Sequence, residues 1–136
     1  MTDLDPALKE TPYPYQSHLG MEMTGWKQDW SRFETPVAEH LLNRHANVHG
    51  GAYASILDTV MGYAGCWTGD PDQRQLCLTL SLTVQFISRP KGEVLIGEGL
   101  RTGGGRGTFF AEGQITDETG ELVAKGTGVF KYRSQK

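Results

Sequence analysis

The chain lacks most of what would place it in an oxidising compartment, in a membrane or on a nucleic acid. It has two cysteines in 136 residues, Cys66 and Cys77. Their separation excludes a CxxC pair and their number excludes a disulfide framework, so they read as buried free thiols with no assigned chemistry. No apolar run is long enough to span a bilayer. The opening MTDLDPALKE has acidic residues where a signal peptide would have basic and apolar ones. A cytoplasmic protein with no membrane partner is therefore expected. Positive charge is not in excess either. With a formal net charge of -3 nothing offsets phosphate repulsion, which argues against nucleic acid as a partner.

What is present is globular: 38% hydrophobic and 21% charged residues, in a length that suits one ordinary domain without internal repeats. Three of the six prolines, Pro6, Pro12 and Pro14, fall in the first 17 residues, which predicts an N-terminal arm over residues 1–17 and a single domain over residues 18–136. Period-two patterns predict strands over Leu19 to Thr24 and Trp30 to Val37. The run from Gly50 to about Trp67 predicts a central helix that is apolar on nearly every side and hence buried. Beyond it Leu76, Leu78, Leu80, Leu82, Val84 and Phe86 alternate with Cys77, Thr79, Ser81, Thr83 and Gln85, which predicts a long strand with one apolar face. Val94 to Arg101, Thr108 to Asp117 and Leu122 to Tyr132 follow as antiparallel strands joined by glycine-rich turns. One buried helix wrapped by such a sheet is an α+β fold.

Asp58 is the residue that composition does not explain. An ionised carboxylate is costly to bury without partners, so its place in an apolar helix points to a general base or nucleophile whose pKa desolvation would raise. The structural alternative is a local hydrogen bond, with Ser55 and Thr59 in reach. At the helix start, His49, Gly50 and Gly51 leave backbone N–H groups open, and the positive end of the helix dipole suits a polarised carbonyl or an oxyanion. Gly50 and Asp58 are eight residues apart, about 12 Å at the rise of one helix. Both cannot reach one reacting carbon within a single chain. If both act, a two-fold dimer with antiparallel helices brings Gly50 of one chain opposite Asp58 of the other.

The segment NRHANVHGGAYASILD, with Asn43, His49, Gly50, Gly51, Leu57 and Asp58, resembles the N-x5-HGG-x5-L-D signature of hotdog-fold thioesterases of the phenylacetate-degradation (PaaI-like) type. The order of strands around one helix also resembles a hotdog domain, an antiparallel sheet wrapped around one long helix. So does the stretch TVQFISRPKGE. This resemblance implies acyl-CoA hydrolysis. Gly50 would polarise the thioester carbonyl, Asn43 and His49 would shape that end of the site, and Asp58 of the neighbouring chain would be base or nucleophile. A Ser or Thr on the strand after the helix helps hold the attacking water in this family, and Thr79 matches that position. Ala46 stands where the family often has Gly, and Asn47 is a second amide near His49, so Asn43 and Asn47 both remain candidates.

The resemblance further implies an acyl-CoA substrate and no separate cofactor, since CoA is part of the substrate. Arg89, Lys91, Arg101 and Arg106, with Gly51, are the candidates for its carrier portion, each set against a plain surface charge or turn. The expected assembly is a homodimer with shared active sites, extended to a dimer of dimers. RTGGGRG has neither Walker nor dinucleotide spacing. His40, His45 and His49 lack ligand-spaced partners, so no metal is expected. Tyr53, Tyr63, Trp67 and Phe86 are candidates for an acyl pocket or plain core. Two alternatives share the pocket: a hotdog hydratase or dehydratase, against which the HGG-to-Asp spacing argues, and a non-catalytic acyl-CoA sensor, which needs no Asp58.

Overall fold

The computed structural model describes residues 3–134; residues 1 and 2 of the expected arm and the last two residues of the expected domain lie outside them. The elements run α1 (Pro14–Leu19), β1 (Glu22–Lys27), β2 (Trp30–Pro36), a 3-10 turn (Glu39–Leu41), α2 (Gly50–Ala64), β3 (Cys77–Phe86), β4 (Val94–Gly104), β5 (Thr108–Asp117) and β6 (Leu122–Tyr132). The strands form one sheet in the order β1-β2-β4-β5-β6-β3, antiparallel at every pairing. The sheet wraps α2, whose Ile56, Leu57, Val60 and Met61 are almost fully buried. The α+β reading therefore holds.

The close seating of α2 comes from glycines that strand register brings into one row. Gly99 pairs with Gly113, and Gly113 pairs with Gly126. A Cβ at Gly99 would collide with the Val60 carbonyl, and one at Gly113 would press on Leu57 and Met61 at 3.2 Å. At the end of the same row Ser31, the partner of Gly99, donates its hydroxyl to the Val60 carbonyl at 2.6 Å. Helix and sheet are thus joined by main-chain approach as well as by apolar burial.

Three expectations need correction. The segment ending at Leu19 is a helix, not the start of a strand. Pro14 stands at its first turn, and Gly20, left-handed at φ 79, closes it by donating to Gln16 and Ser17. The arm around it lies over the fold, with Leu4, Leu8 and Tyr13 packed on the core. Second, α2 is not buried all round. Gly51 is exposed and Ala54, Ser55, Asp58 and Gly62 are half-open, giving a stripe of small residues along one side. Third, β3 does not keep a single apolar face. Its pairing with β6 slips between Thr79 and Ser81, so Leu80 is a bulge. Leu78 and Leu80 are 52% and 56% exposed, whereas Leu82 and Val84 pack against the core.

Candidate functional site

The bulge is what aims Thr79. It puts Thr79 on the helix side of β3, where its hydroxyl donates to Asp58 Oδ1 at 2.6 Å. The local partners expected for Asp58 are engaged elsewhere: Ser55 Oγ donates to the Gly51 carbonyl, and Thr59 Oγ1 lies 2.8 Å from the Tyr13 hydroxyl of the arm. Burial pushes the Tyr13 phenol upward, and the nearby Asp58 charge adds to this, so Tyr13 stays protonated beside the site. Asp58 itself is half-open rather than enclosed. It faces a groove of about 520 Å³ between the arm, α2 and the start of β3.

At the other end of the helix His49 is the N-cap, and its Nδ1 accepts from Gly51 N–H at 2.7 Å. The Ala52 and Tyr53 N–H groups go to the His49 carbonyl. Gly50 N–H has no hydrogen-bond partner among the described residues, so of the first helical donors it is the one left for a ligand. The Phe86 ring lies over it, about 3.2 Å from where a Gly50 Cβ would stand. Gly50 thus combines an open N–H with an aromatic cover.

Asn43 acts on its own loop. Its Oδ1 accepts from the His45 and Asn47 N–H groups at 2.9 and 3.2 Å, and its N–H donates to the Asn47 carbonyl. The turn holds Ala46 at φ 61, a conformation that favours glycine. Asn43 therefore positions the chain entering His49.

The basic residues do not form one cluster. Arg89 and Lys91 follow Phe86 at the α2 start, while Arg101 and Arg106 lie toward its end, where Phe109 packs on Gly65. Lys91 is paired with Glu121 at 3.0 Å, and the Arg101 guanidinium lies over the Phe109 ring. Arg89 and Arg106 are exposed. Among the aromatics, Tyr53 is core, Phe86 is 60% exposed beside Gly50, and Tyr63 donates its hydroxyl to Glu10 of the arm at 3.1 Å. The thiols of Cys66 and Cys77 are free; Cys77 Sγ donates to the Gly62 carbonyl at 3.8 Å, and the neighbouring Cys77 thiol together with burial pushes the Cys66 thiol up, so that Cys66 stays protonated. Among the described residues no three His, Cys, Asp or Glu side chains are grouped to hold a metal ion, and no helix is long and apolar enough to cross a membrane.

Sequence reasoning missed Tyr13 and Glu10, because a proline-rich arm gives no sign of where it docks. It also passed over Gly62, for which a signal existed: a glycine inside an apolar helix, where alanine would be more stable.

A sheet wrapped around one helix, with a glycine-rich helix start and a carboxylate midway along, is the hotdog arrangement. The model of the thioesterase superfamily matches residues 45–124, more than half of the chain, and the protein belongs to that superfamily. A candidate esterase of Mycobacterium tuberculosis, Rv1847, is 25% identical over 122 residues, covering 89% of this chain and 87% of its own. The PaaI protein of the Escherichia coli phenylacetic acid degradation operon shares the fold at a TM-score of 0.78 and 19% identity, covering 90% of this chain and 86% of its own. So does BH2602 of Bacillus halodurans, solved with CoA, at a TM-score of 0.77 and 24% identity over 94% and 83% of the two chains.

Proposed function

We propose that the protein is an acyl-CoA thioesterase that works as a two-fold dimer with two shared sites. One observation carries this reading: the unpartnered Gly50 N–H and the Asp58–Thr79 pair lie on the same open side of one helix, too far apart to serve one carbonyl within a chain. The β3 edge supports the dimer. Among the described residues it pairs only with β6, and Leu76, Leu78, Leu80 and Phe86 along it are 41–60% exposed. A long apolar edge of this kind invites pairing with a second chain. Antiparallel pairing of two β3 strands would run the two α2 helices in opposite directions and set Gly50 of one against Asp58 of the other. CoA bound to BH2602, a protein of the same fold, supports the carrier.

In the reaction the thioester oxygen accepts from Gly50 N–H, and the α2 dipole stabilises the charge that grows on it. Asp58 of the second chain, oriented by Thr79, takes a proton from water as the water oxygen bonds to the carbonyl carbon. Collapse of the tetrahedral intermediate breaks the C–S bond, and the departing sulfur takes up the proton. Direct attack by Asp58 would pass instead through a mixed anhydride, which water then hydrolyses. Thiol release from short-chain, long-chain and aromatic acyl-CoAs, compared with the Asp58→Asn variant, tests the proposal. Turnover that depends on Asp58 is expected. Binding of acyl-CoA without turnover would mark a sensor instead.

A further inference from the structure

The groove beside Asp58 continues past the catalytic pair, and α2 bears nothing bulky along it. Gly62 stands one turn beyond Asp58 on the half-open side of the helix. Most glycines that face α2 from the sheet are there because a Cβ would collide with backbone or a ring; Gly62 is different. A Cβ there would meet only Cys77 Sγ at 3.5 Å and the Phe130 ring at 3.8 Å, both ordinary contacts. Packing does not require glycine at this position, yet an interior helical glycine is less stable than alanine. Its effect is to leave open space.

That space has a particular lining. Gly62, Cys66, Cys77 and Phe130 form its inner part, with Tyr13 of the arm on the near side. This inner part holds no carboxylate, ammonium or guanidinium group: it is a helical glycine, two thiols, a phenyl ring and a phenol. Around its outer part Glu10 accepts from Tyr63 and is bridged to Arg74, and Arg133 also lines it. From Asp58 to the end of α2 the groove follows about 9 Å of helix at the usual rise, a length that suits an extended acyl chain of medium size.

We infer that this groove is the acyl-chain subsite, taking the apolar tail of a medium-length acyl group, and that Gly62 is the residue that sets its capacity. The inference rests on the thioesterase reading for the place of the thioester at Asp58. Gly62→Leu should fill the channel one turn beyond the catalytic pair. The ratio of kcat/KM for octanoyl-CoA to that for acetyl-CoA should fall by about 10²-fold, the scale on which a pocket rejects added methylenes. Gly62→Ala, which suits a helix, should raise the melting temperature and lower the ratio only a few-fold. It supplies the answer if the leucine variant does not fold.

Binding of S-octyl-CoA, a thioether that cannot be hydrolysed, separates this inference from the reading beneath it. The wild-type protein should bind it more tightly than CoA by calorimetry, and Gly62→Leu should erase the difference. If the wild type turns over no thioester but keeps that preference, the thioesterase reading fails and the subsite stands. Equal losses on octanoyl-CoA and acetyl-CoA would give the groove to the carrier arm and overturn the inference. So would an unchanged ratio, a preference for phenylacetyl-CoA that Gly62→Leu does not touch, or loss of the wild-type assembly state in the variant by sedimentation.

Discussion

Asp117 accepts five hydrogen bonds, from the Lys91, Gly92, Thr119 and Glu121 N–H groups and the Thr119 hydroxyl, and is 2% exposed. Asp58 accepts one from Thr79 and faces an open groove. A carboxylate has about four acceptor sites, so Asp117 is saturated and Asp58 is not. The saturated group can only hold structure: it ties the loop after β3 to the β5–β6 turn, with Glu118 binding the Glu93 and Val94 N–H groups beside it. The unsaturated group has lone pairs left for water or a carbonyl. Burial alone would rank Asp117 above Asp58 as a candidate for chemistry; hydrogen-bond saturation reverses that order.

The sharpest test exchanges the two phenotypes. Asp58→Asn should lower kcat by about 10²–10⁴-fold, the usual contribution of a general base, while the melting temperature stays close to wild type. Asp117→Asn should do the reverse. Its amide NH₂ would face the Lys91 and Gly92 N–H donors, two bonds would become repulsive contacts, and the melting temperature should fall further than for any other single carboxylate substitution. Turnover per folded molecule should persist below that temperature. If Asp117→Asn abolished turnover while folded and Asp58→Asn did not, the comparison would be inverted.

A smaller effect sharpens the Asp58 side alone. Thr79→Val keeps the shape of the side chain and removes the 2.6 Å hydrogen bond. Loss of a hydrogen bond to a charged group should slow kcat about 10-fold, with less change in KM, because the bond orients the carboxylate rather than holding the acyl group. An unchanged kcat in steady-state assays would remove Thr79 from the site.

The two regions also differed in how far the sequence revealed them. Asp58 stood out because its neighbours Ile56, Leu57, Val60 and Met61 are apolar, and periodicity alone sets a carboxylate among them apart. Asp117 lay in a DETG segment that reads as an ordinary turn; its saturation depends on the loop at Lys91 and Gly92, which only the folded sheet brings near. Thr79 was reached by family resemblance, whereas the alternation of β3 placed it on the wrong face. This bulge left no mark on the periodicity of β3, because the leucines keep the same alternation through Leu78, Leu80 and Leu82 while the extra residue reverses which face of the strand they occupy. The α1 helix failed for another reason. Its signals, Pro14 in the first turn and Gly20 after the last, were visible but are also strand breakers, and six residues are too few for periodicity to decide. The glycine row Gly99, Gly113 and Gly126 was visible only as scattered residues until register aligned them.

The smallest expected effect concerns acid. The Thr119 hydroxyl, followed by the Gly92, Lys91 and Glu121 N–H groups, holds the Asp117 carboxyl well below the usual carboxylate range. A folded-state value below the unfolded one means that Asp117 adds stability above the unfolded pKa, near ~4, and that this is lost as pH falls through the folded value. Thr119→Val removes the leading donor and brings the folded value nearer the unfolded one. The variant should therefore be slightly less stable at neutral pH, and its melting temperature should fall less steeply with acid below about pH 5. Asp117→Asn should be flatter still across that window, since it has no proton to take up there. Melting temperatures at half-unit pH steps from 7 to 2 would check the order. Three parallel curves would mean that Glu118 and Glu121, whose hydrogen bonds also hold them low, dominate the acid response of this corner and that the saturation of Asp117 is not what couples it to pH.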